Sequence, residues 1–393
     1  MPLEFQTTAA IVFLVLLSLF VYAKRKNLHT HGLFPLIYFS MYRTQIGLKF
    51  MDRFAGKFNK TMKFLGYAGI LVGFLGMALL SFSLLQNLYN LIATPEAQPG
   101  VGLVLPFKVK GAFFVPFFYW IIAIFIIALV HEYAHGVIAR AHNLKVKSSG
   151  FAFLGILIPV IPAAFVEPDE KTLRKRPHKQ QLSVFAAGPF SNIILAFIVL
   201  GFSFLILSPI ADNMMEYSGV EITGFIEGNY PAESSGIAKG EVVKSINGKK
   251  IETLDDFSGI LKEKKPGNTI RLETDKNTYN LKLGKNPEDE SLAYLGVYVQ
   301  QESRVKESFK EKYGSFIPAA IIWIAGLFSW LIILNLGIGL FNLVPIGPLD
   351  GGRMLQLVLH RFFERKKADK VWYYVSMVFL LIVVANIGAA FIK

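Results

Sequence analysis

The sequence predicts a polytopic α-helical membrane protein with about six transmembrane helices, a re-entrant β-hairpin and an inserted α+β domain. Its 393 residues are 53% hydrophobic and only 18% charged, a composition too apolar for a soluble globule. Several apolar runs reach the roughly 20 residues that cross a bilayer as a helix. One long segment between two of these runs is polar and alternates like β-strands.

Six apolar runs are predicted to span the membrane, at residues 7–23, 65–93, 112–139, 183–208, 315–341 and 371–391. The first run could also be a signal peptide. Its basic cluster, Lys24 to Lys26, follows the apolar stretch instead of preceding it, and the run lacks a small-residue cleavage site. We therefore expect a retained anchor.

The charges between the spans predict how the chain is oriented. Residues 24–63 carry nine Lys/Arg against one acid, Asp52, and residues 140–179 and 361–370 are also basic. Basic loops stay in the cytoplasm, whereas residues 209–313, with 18 acidic and 15 basic side chains, are predicted to lie outside. This multi-pass topology in the cell membrane accounts for the net charge of +13, so we expect no nucleic-acid binding.

The predicted external segment has the pattern of a small folded domain. Residues 219–226 alternate like a strand, and Asn247-Gly248 is a two-residue hairpin signal. A helix over 253–265 and strands over 269–274 and 278–283 follow. The run PAESSGIAKGEVVKSINGKKI, beginning at Pro231, resembles bacterial and archaeal PDZ domains. The resemblance implies a PDZ-like domain with peptide C-termini as candidate ligands, and a domain that only spaces or shields the membrane part is the alternative.

A further apolar segment, 149–166, is unsuited to a helix. It is interrupted by four helix breakers, Gly150, Gly155, Pro159 and Pro162. Non-helical backbone at bilayer depth survives only against protein or a water-filled cavity. We expect a re-entrant hairpin whose edge strand hydrogen-bonds an unwound peptide segment, with an ordinary interfacial loop as the alternative.

The third span ends in HEYAH, residues 131–135. On a helix His131 and His135 share one face and can chelate one Zn²⁺, while Glu132 lies close enough to a metal-bound water to take its proton. Each ionisable group near a bilayer centre costs about 2.5 to 3.5 kcal/mol on insertion scales, which argues against histidines that merely reach for the interface. The chain contains no cysteine, so any metal is held by nitrogen and oxygen.

A catalytic zinc needs a third protein ligand and an open position for water. Asp350, within FNLVPIGPLDGGR, is the only acid between Glu311 and Glu364, and we predict that it is this ligand. Asn342, at the end of the fifth span, is a candidate amide donor to a substrate carbonyl oxygen. A polar residue that merely terminates the helix is the alternative for Asn342.

Four features together resemble the site-2 protease family of intramembrane zinc metalloproteases: HEYAH, AAGPFSN at 186–192, the PDZ-like insert, and NLVPIGPLDGG at 342–352. The resemblance covers residues 112–356 and is more specific than any single motif. No motif is evident in the first two spans, where the resemblance rests on topology alone.

The resemblance implies a role for each motif residue. It implies one zinc per chain, ligated by His131, His135 and Asp350, with Glu132 as general base and Asn342 binding the scissile carbonyl. It also implies packing and substrate-positioning roles for Gly188, Pro189 and Asn192.

The predicted organisation has four parts. They are an N-terminal pair of spans with the basic segment (1–111), a membrane core with HEYAH and the GPxxN element (112–208), the external PDZ-like domain (209–313), and a C-terminal membrane core with the aspartate ligand and the last helix (314–393). At about 1.5 Å per residue, the zinc site lies some 7 Å inside the cytoplasmic anchor Arg140.

The expected function is hydrolysis of peptide bonds within or near transmembrane segments of membrane-anchored proteins, in particular regulatory proteins already shortened by another protease. The expected partners are these substrates and the lipid bilayer. A metal transporter and a catalytically silent PDZ scaffold are the alternatives. A transporter would need ligands along several spans, and the intact Glu132 argues against a silent scaffold.

Overall fold

A computed structural model describes residues 3–33, 36–94, 97–156, 158–226, 228, 230–287 and 289–392. The chain divides into two compact units, and each has its own fold. The first, Met1–Ser203 with Ala325–Lys393, is called the membrane unit. The second, Phe204–Ile324, is called the inserted unit.

Within the described residues, six helices contain a stretch long and apolar enough to cross a membrane, as the sequence predicts. They are Glu4–Asn27, Asn59–Ala93, Phe117–Ala141, His178–Met214, Phe316–Phe341 and Arg365–Ile392. The helices are α1 (Leu3–Lys24), α2 (Leu48–Lys57), α3 (Asn59–Ala93), α4 (Phe117–Ala141), α5 (Glu170–Leu173), α6 (His178–Phe202), α7 (Ser208–Met214), α8 (Pro231–Ser234), α9 (Leu254–Lys262), α10 (Glu307–Tyr313), α11 (Phe316–Phe341), α12 (Asp350–Phe362) and α13 (Arg365–Ile392). The protein is therefore an integral membrane protein.

The strands fall into a four-stranded sheet in the membrane unit, a larger sheet in the inserted unit, and two short pairs. In chain order they are β1 (Leu28–Leu33), β2 (Ile37–Thr44), β3 (Leu103–Leu105), β4 (Ala112–Phe114), β5 (Val146–Ile156), β6 (Ile158–Pro168), β7 (Met215–Phe225), β8 (Val242–Ile246), β9 (Lys249–Lys250), β10 (Thr269–Thr274), β11 (Thr278–Lys282), β12 (Gly284–Lys285), β13 (Ala293–Tyr294) and β14 (Val297–Val305).

The sheet of the membrane unit has the antiparallel order β1-β2-β5-β6, so β6 is an edge strand. β5 and β6 form the hairpin expected near residues 149–166, and their position in the bilayer stays a prediction. Two of the predicted helix breakers have a second role, because a Cβ on Gly150 would lie 2.0 Å from the Tyr42 carbonyl oxygen and one on Gly155 would lie 2.2 Å from the Tyr38 ring. β1 and β2 lie in a stretch that sequence analysis treated only as a basic loop.

A stripe of glycines on α3 lets the helix that forms the second span pack closely against the rest of the membrane unit. Gly66, Gly69, Gly73 and Gly76 are all buried on this helix. A Cβ on Gly73 would lie 2.8 Å from the Met354 side chain, and one on Gly76 would lie 2.6 Å from the side chain of Leu343. Small residues at such spacing allow close helix packing in membranes. The α3 glycines thus support the segment from Leu343 to Met354, which carries the predicted aspartate ligand.

The inserted unit is an α+β fold around its own apolar core. Its sheet has the order β11-β10-β8-β7-β14, with β9 paired to β8. The predicted hairpin is confirmed: Asn247 and Gly248, both with positive φ, connect β8 to β9. The capping box of Thr253 and Asp256 begins α9 where the sequence predicts a helix. Local sequence signals therefore determine most of this unit.

Among the described residues of the inserted unit, the Glu241 carboxylate is buried. Glu241 is 2% exposed and accepts hydrogen bonds from the Thr274 hydroxyl (2.6 Å), the Tyr279 hydroxyl (2.9 Å) and the Ala238 N–H (3.1 Å). Burial on its own would raise the pKa of Glu241, but these hydrogen bonds outweigh it and leave the pKa below the ordinary value. Glu241 is thus a fully bonded structural anion.

Candidate metal centre

α4 places two histidines side by side inside the membrane unit. His131 and His135 are one turn apart on this helix, and both are buried. Their ring centroids lie 4.8 Å apart, with the ring planes at 76°. The two Nε2 atoms are 3.2 Å apart, so both rings direct a ligand nitrogen to the same point.

A tight loop brings the third predicted ligand to these histidines. Asp350 is the first residue of α12, and the N–H of Gly351 donates to the Asn342 carbonyl oxygen at 2.8 Å. A Cβ on Gly351 would lie 2.1 Å from the carbonyl oxygen of Leu343, and one on Gly352 would lie equally close to that of Ile346. The loop therefore requires both glycines, and it fixes the start of α12 and with it Asp350.

The three side chains form a triangle of ligand atoms. Asp350 Oδ2 lies 3.1 Å from His131 Nε2 and 3.3 Å from His135 Nε2. A tetrahedral zinc with ligands at roughly 2.0 to 2.1 Å requires about 3.3 Å between ligand atoms. Two imidazoles and one carboxylate also form the donor set of hydrolytic zinc sites with an open fourth position. In both geometry and chemistry, the three residues fit a zinc ion.

Each imidazole is also contacted at its second nitrogen. His135 Nδ1 donates to the Val184 carbonyl oxygen at 2.6 Å, and Asn192 Nδ2 lies 3.1 Å from His131 Nδ1. The Asn192 Oδ1 is buried and has no partner in the described residues. A histidine that binds metal through Nε2 carries its proton on Nδ1, so the Asn192 amide must turn its oxygen to this proton. Asn192 is therefore set to hold His131 in its metal-binding tautomer.

The GPxxN element on α6 lies against the imidazoles. A Cβ on Gly188 would be 2.4 Å from His135 Nε2 and 2.5 Å from His131 Nε2, so only glycine leaves room there for the ligand atoms. Pro189 lies inside α6, where it lacks the N–H that would continue the helix ladder. The described residues lining the cavity beside the triangle do not include Gly188, Pro189 or Asn192. In the structure Gly188 and Asn192 therefore lie against the histidines, and the substrate-positioning role of the three residues stays a prediction.

Glu132 lies beside the triangle without joining it. It lines a cavity of about 290 Å³ together with His131, His135, Asp350 and Asn342. The Glu132 Oε2 accepts a hydrogen bond from the N–H of Val166 on β6 at 2.9 Å. This single bond orients the carboxylate toward the edge of β6, where it can exchange a proton with a group in the cavity.

Asn342 lines the same cavity at the end of α11. Its Nδ2 donates to the Ile338 carbonyl oxygen at 2.9 Å, one turn back in the helix. An amide nitrogen carries two hydrogens, so this bond uses one of them. The structure therefore places Asn342 where the sequence predicts, with one amide hydrogen tied to its own helix.

The segment after β6 completes the wall of the cavity. The Asp169 carboxylate accepts hydrogen bonds from the Thr172 hydroxyl and from Lys147, and these bonds lower the pKa of Asp169 to about 2. The anchored turn leads into α5, whose Glu170 and Leu173 line the cavity. The turn that precedes this part of the wall is therefore held by an ionised Asp169 at neutral pH.

Sequence analysis missed two groups of this site because both are main-chain atoms. The Val184 carbonyl holds His135, and the Val166 N–H holds Glu132. No pattern of side chains in the sequence predicts which main-chain group will make such a contact. The GPxxN element pointed to Gly188 in the sequence, but only the structure shows that Gly188 contacts both histidines.

The model of "Peptidase family M50" matches residues 119–383, about two thirds of the chain. A Methanocaldococcus jannaschii protein without an assigned function is 28% identical over 91% of this chain and 86% of its own. A "putative zinc metalloprotease" of Clostridium acetobutylicum is 26% identical over 68% of this chain and 94% of its own.

Two further likenesses cover smaller parts. The regulator of sigma-W protease RasP of Bacillus subtilis is 24% identical over 56% of this chain and 61% of its own. A PDZ domain of an SdrC-like protein from Listeria monocytogenes matches 21% of this chain and 88% of its own, at 18% identity and a TM-score of 0.19. A TM-score this low does not bear on the fold of the inserted unit.

Proposed function

Because the chain belongs to peptidase family M50 and is an intramembrane zinc metalloprotease, we propose that His131, His135 and Asp350 hold one zinc ion per chain. The observation that carries this assignment is the triangle of ligand atoms with edges of 3.1 to 3.3 Å. Its edges fit tetrahedral coordination, and its donors fit a hydrolytic site.

We assign the proton chemistry to Glu132. When bound, zinc supplies a water that loses its proton near neutral pH and a Lewis acid for a peptide carbonyl. Glu132 takes this proton and later gives it to the leaving amine. Within the part of the chain that the structure describes, its carboxylate accepts one hydrogen bond, from Val166, which leaves oxygen lone pairs for this transfer. Asn342 offers its second amide hydrogen to the carbonyl oxygen as negative charge develops there.

We propose that Gly188 and Asn192 position the zinc ligands and do not position the substrate. Gly188 leaves space at the two Nε2 atoms, and Asn192 accepts the Nδ1 proton of His131. Pro189 belongs to the same turn of α6 and shapes the helix there. This proposal replaces the substrate-positioning role that the family resemblance implied for the three residues.

We propose that the substrate binds as an extended strand along β6. A helical substrate hides its carbonyl groups in its own hydrogen bonds, so it must unwind before cleavage. β6 is an edge strand whose Val166 N–H points to Glu132, away from β5. By the alternation of an antiparallel pair, the N–H of Ala164 points the same way and is free to bond a substrate carbonyl. The re-entrant placement of this hairpin in the bilayer belongs to the same proposal.

The basic loops favour a topology with the zinc site near the cytoplasmic side and residues 209–313 outside. The α+β fold of the inserted unit and the run from Pro231 support a PDZ-like domain. Substrates are then membrane-anchored proteins, and peptide C-termini are candidate ligands of the inserted unit. Regulatory proteins already shortened on the outer side are the substrate class we propose.

The decisive experiment uses the purified full chain in nanodiscs with a single-pass substrate tagged at both ends. We expect cleavage that a zinc chelator abolishes and stoichiometric zinc restores, with one tight site per chain by metal analysis. Cleavage that survives complete zinc removal would overturn the proposal.

The same preparation distinguishes the alternative functions. Zinc flux into liposomes without cleavage would indicate a transporter. Tight zinc binding with neither flux nor cleavage of any single-pass substrate would indicate a scaffold.

A further inference from the structure

A second cavity, of about 620 Å³, adjoins the zinc site within the membrane unit. It is formed by residues 170–178, α6, α12 and the start of α13. Four residues line both this cavity and the site cavity: Glu170, Leu173, Phe185 and Arg353. The two spaces therefore share a wall, and its charged part consists of Glu170 and Arg353.

The walls of the second cavity carry more positive than negative charge. Three arginines line it, Arg174, Arg353 and Arg365, against two acids, Glu170 and Asp369. His178 and His360 add two further groups that gain positive charge on protonation. We call this space the cationic pocket.

Both acids of the cationic pocket already have partners. Glu170 pairs with Arg174 at 3.2 Å and with Arg353 at 3.9 Å. Asp369 Oδ1 accepts hydrogen bonds from His360 Nε2 at 2.7 Å and from Gln356 Nε2 at 2.9 Å. Arg365 is exposed and forms no ion pair within 4 Å among the described residues, although its charge helps to lower the pKa of Asp369, four residues on. The pocket can therefore accept an added negative charge.

A substrate strand has to leave the site cavity through neighbouring space. Each extended residue advances about 3.3 Å, so residues close to the cleaved bond lie outside a cavity of about 290 Å³. The cationic pocket lies directly beyond the shared wall, and part of its lining, from Glu170 to His178 and from Arg365 to Asp369, belongs to the basic segments 140–179 and 361–370. In the proposed topology these segments are cytoplasmic.

On the basis of the proposed function, we propose that the cationic pocket is a specificity site for the substrate. It binds an acidic side chain of the substrate on the cytoplasmic side of the cleaved bond. Arg365 and Arg174 pair with the carboxylate, and Arg353 links the pocket to the zinc site. An arginine can bond a carboxylate through two parallel N–H groups, which gives the contact geometric as well as charge preference.

Such a pocket discriminates among membrane proteins by charge. Most transmembrane helices carry lysine or arginine at their cytoplasmic ends, and these are repelled by the pocket. A helix with an acidic residue there is attracted. The shared wall with the zinc site favours a substrate over a lipid headgroup, because a lipid bound in the pocket would need no connection to the place of cleavage.

The test compares three forms of one single-pass substrate, with Glu, Gln or Lys at the same position within the first few residues on the cytoplasmic side of the cleavage site. In neutral-lipid nanodiscs the Glu form should be cleaved with about five- to tenfold higher kcat/KM than the Gln form. Arg365→Gln should reduce this ratio to near one. Arg365→Glu should favour the Lys form. Lys366→Gln removes a neighbouring exposed charge that does not line the pocket, and it should leave the ratio unchanged.

Equal cleavage of the three forms by the wild-type chain, or a Glu preference that persists in Arg365→Glu, would overturn the specificity site. If substitution of Arg365 changes the Glu preference only in nanodiscs that contain anionic lipid, the pocket holds a lipid headgroup. Zinc content and thermal unfolding confirm that each variant is folded. Cleavage of the Gln form tests the proposed function separately, since its zinc-dependent rate does not require the pocket.

Discussion

Glu132 of the membrane unit is half-buried and Glu241 of the inserted unit is buried, and the two carboxylates differ in how they are hydrogen-bonded. Glu241 in the inserted unit accepts hydrogen bonds from three groups and is 2% exposed. Glu132 in the membrane unit accepts one, from the Val166 N–H, and its carboxylate lines an open cavity. One carboxylate is fully bonded and structural, and the other is oriented but left with bonding capacity.

This difference shows how to separate a structural acid from a working one without reference to sequence motifs. A buried anion that stabilises a fold needs all its oxygen lone pairs satisfied. An acid that moves protons needs an unused lone pair in reach of the reacting group. The mutations below test whether the two units follow this division.

The largest effect is expected for Glu132→Gln. The variant keeps the hydrogen bond from Val166 but cannot accept a proton, so cleavage should fall by about a hundred- to ten-thousandfold. Zinc content and thermal stability should stay at the wild-type level, measured on the same preparation. The matched variant in the other unit is Glu241→Gln, which should leave zinc-dependent cleavage of a short substrate intact. Near-normal cleavage by Glu132→Gln would refute its assignment as the base.

Asp350→Ala should lose zinc as well as activity. Removal of one ligand from the triangle leaves two imidazoles, and zinc affinity should fall by more than about a hundredfold. Chelator competition followed by metal analysis measures the loss. Asp52→Asn is a suitable control, because this acid pairs with Arg140 in the last turn of α4 and does not line the cavity. Unchanged zinc affinity in Asp350→Ala would remove Asp350 from the centre.

Gly188→Ala tests how closely α6 approaches the ligands. The added methyl group would lie 2.4 and 2.5 Å from the two Nε2 atoms, so either the helix moves or the imidazoles turn away. We expect at least tenfold weaker zinc binding. Gly201→Ala on the same helix has open space around its Cβ and should bind zinc normally, with equal or slightly higher thermal stability. Equal zinc affinity in the two variants would show that the region around Gly188 adapts freely.

The two units also differ in how much of each the sequence predicts. In the inserted unit, the Asn247-Gly248 turn and the strands at 269–274 follow from local patterns, and the structure has both. In the membrane unit, the spacing of the histidines is local, but Asp350 lies 219 residues from His131 along the chain. Its assignment rested on the scarcity of acids in apolar sequence and not on any local pattern.

What sequence analysis missed in the membrane unit falls into two classes. The Val166 N–H and the Val184 carbonyl are main-chain groups, and any residue type supplies them. The glycine stripe of α3 had a readable signal, because its glycines recur every three or four residues. The strand β2 had none of this kind, because the polar Ser40 is buried and the apolar Phe39 beside it is exposed. A search for small-residue spacing in the first two spans would have found the stripe.

A smaller effect on zinc is expected for Asn192, which contacts a ligand without being one. Asn192→Leu removes the amide beside His131 Nδ1, whose oxygen accepts the Nδ1 hydrogen bond once the amide has turned, and should weaken zinc binding about ten- to hundredfold. Asn192→Asp retains an acceptor oxygen and should recover most of the affinity. Asn335→Leu is the matched control, a buried amide of the same unit that bonds only Leu331 among the described contacts. If Asn192→Leu binds zinc as tightly as Asn335→Leu, Asn192 does not orient His131.

The smallest effect concerns the pH dependence of the inserted unit. The hydrogen bonds to Glu241 hold its pKa below the ordinary value near 4.3, so its contribution to stability is present above that value. The contribution is lost as the pH falls through the ordinary value toward the lower pKa of the folded state.

Hydrogen exchange of residues 215–305 in the full chain should therefore accelerate as the pH falls below about 5, after correction for the intrinsic exchange rate. Glu241→Gln should be less stable by about 1 to 3 kcal/mol at neutral pH and should show a weaker pH dependence in this range. A variant with the same pH dependence as the wild-type chain would mean that another acid carries the effect, and the contrast between the two glutamates would then rest on Glu132 alone.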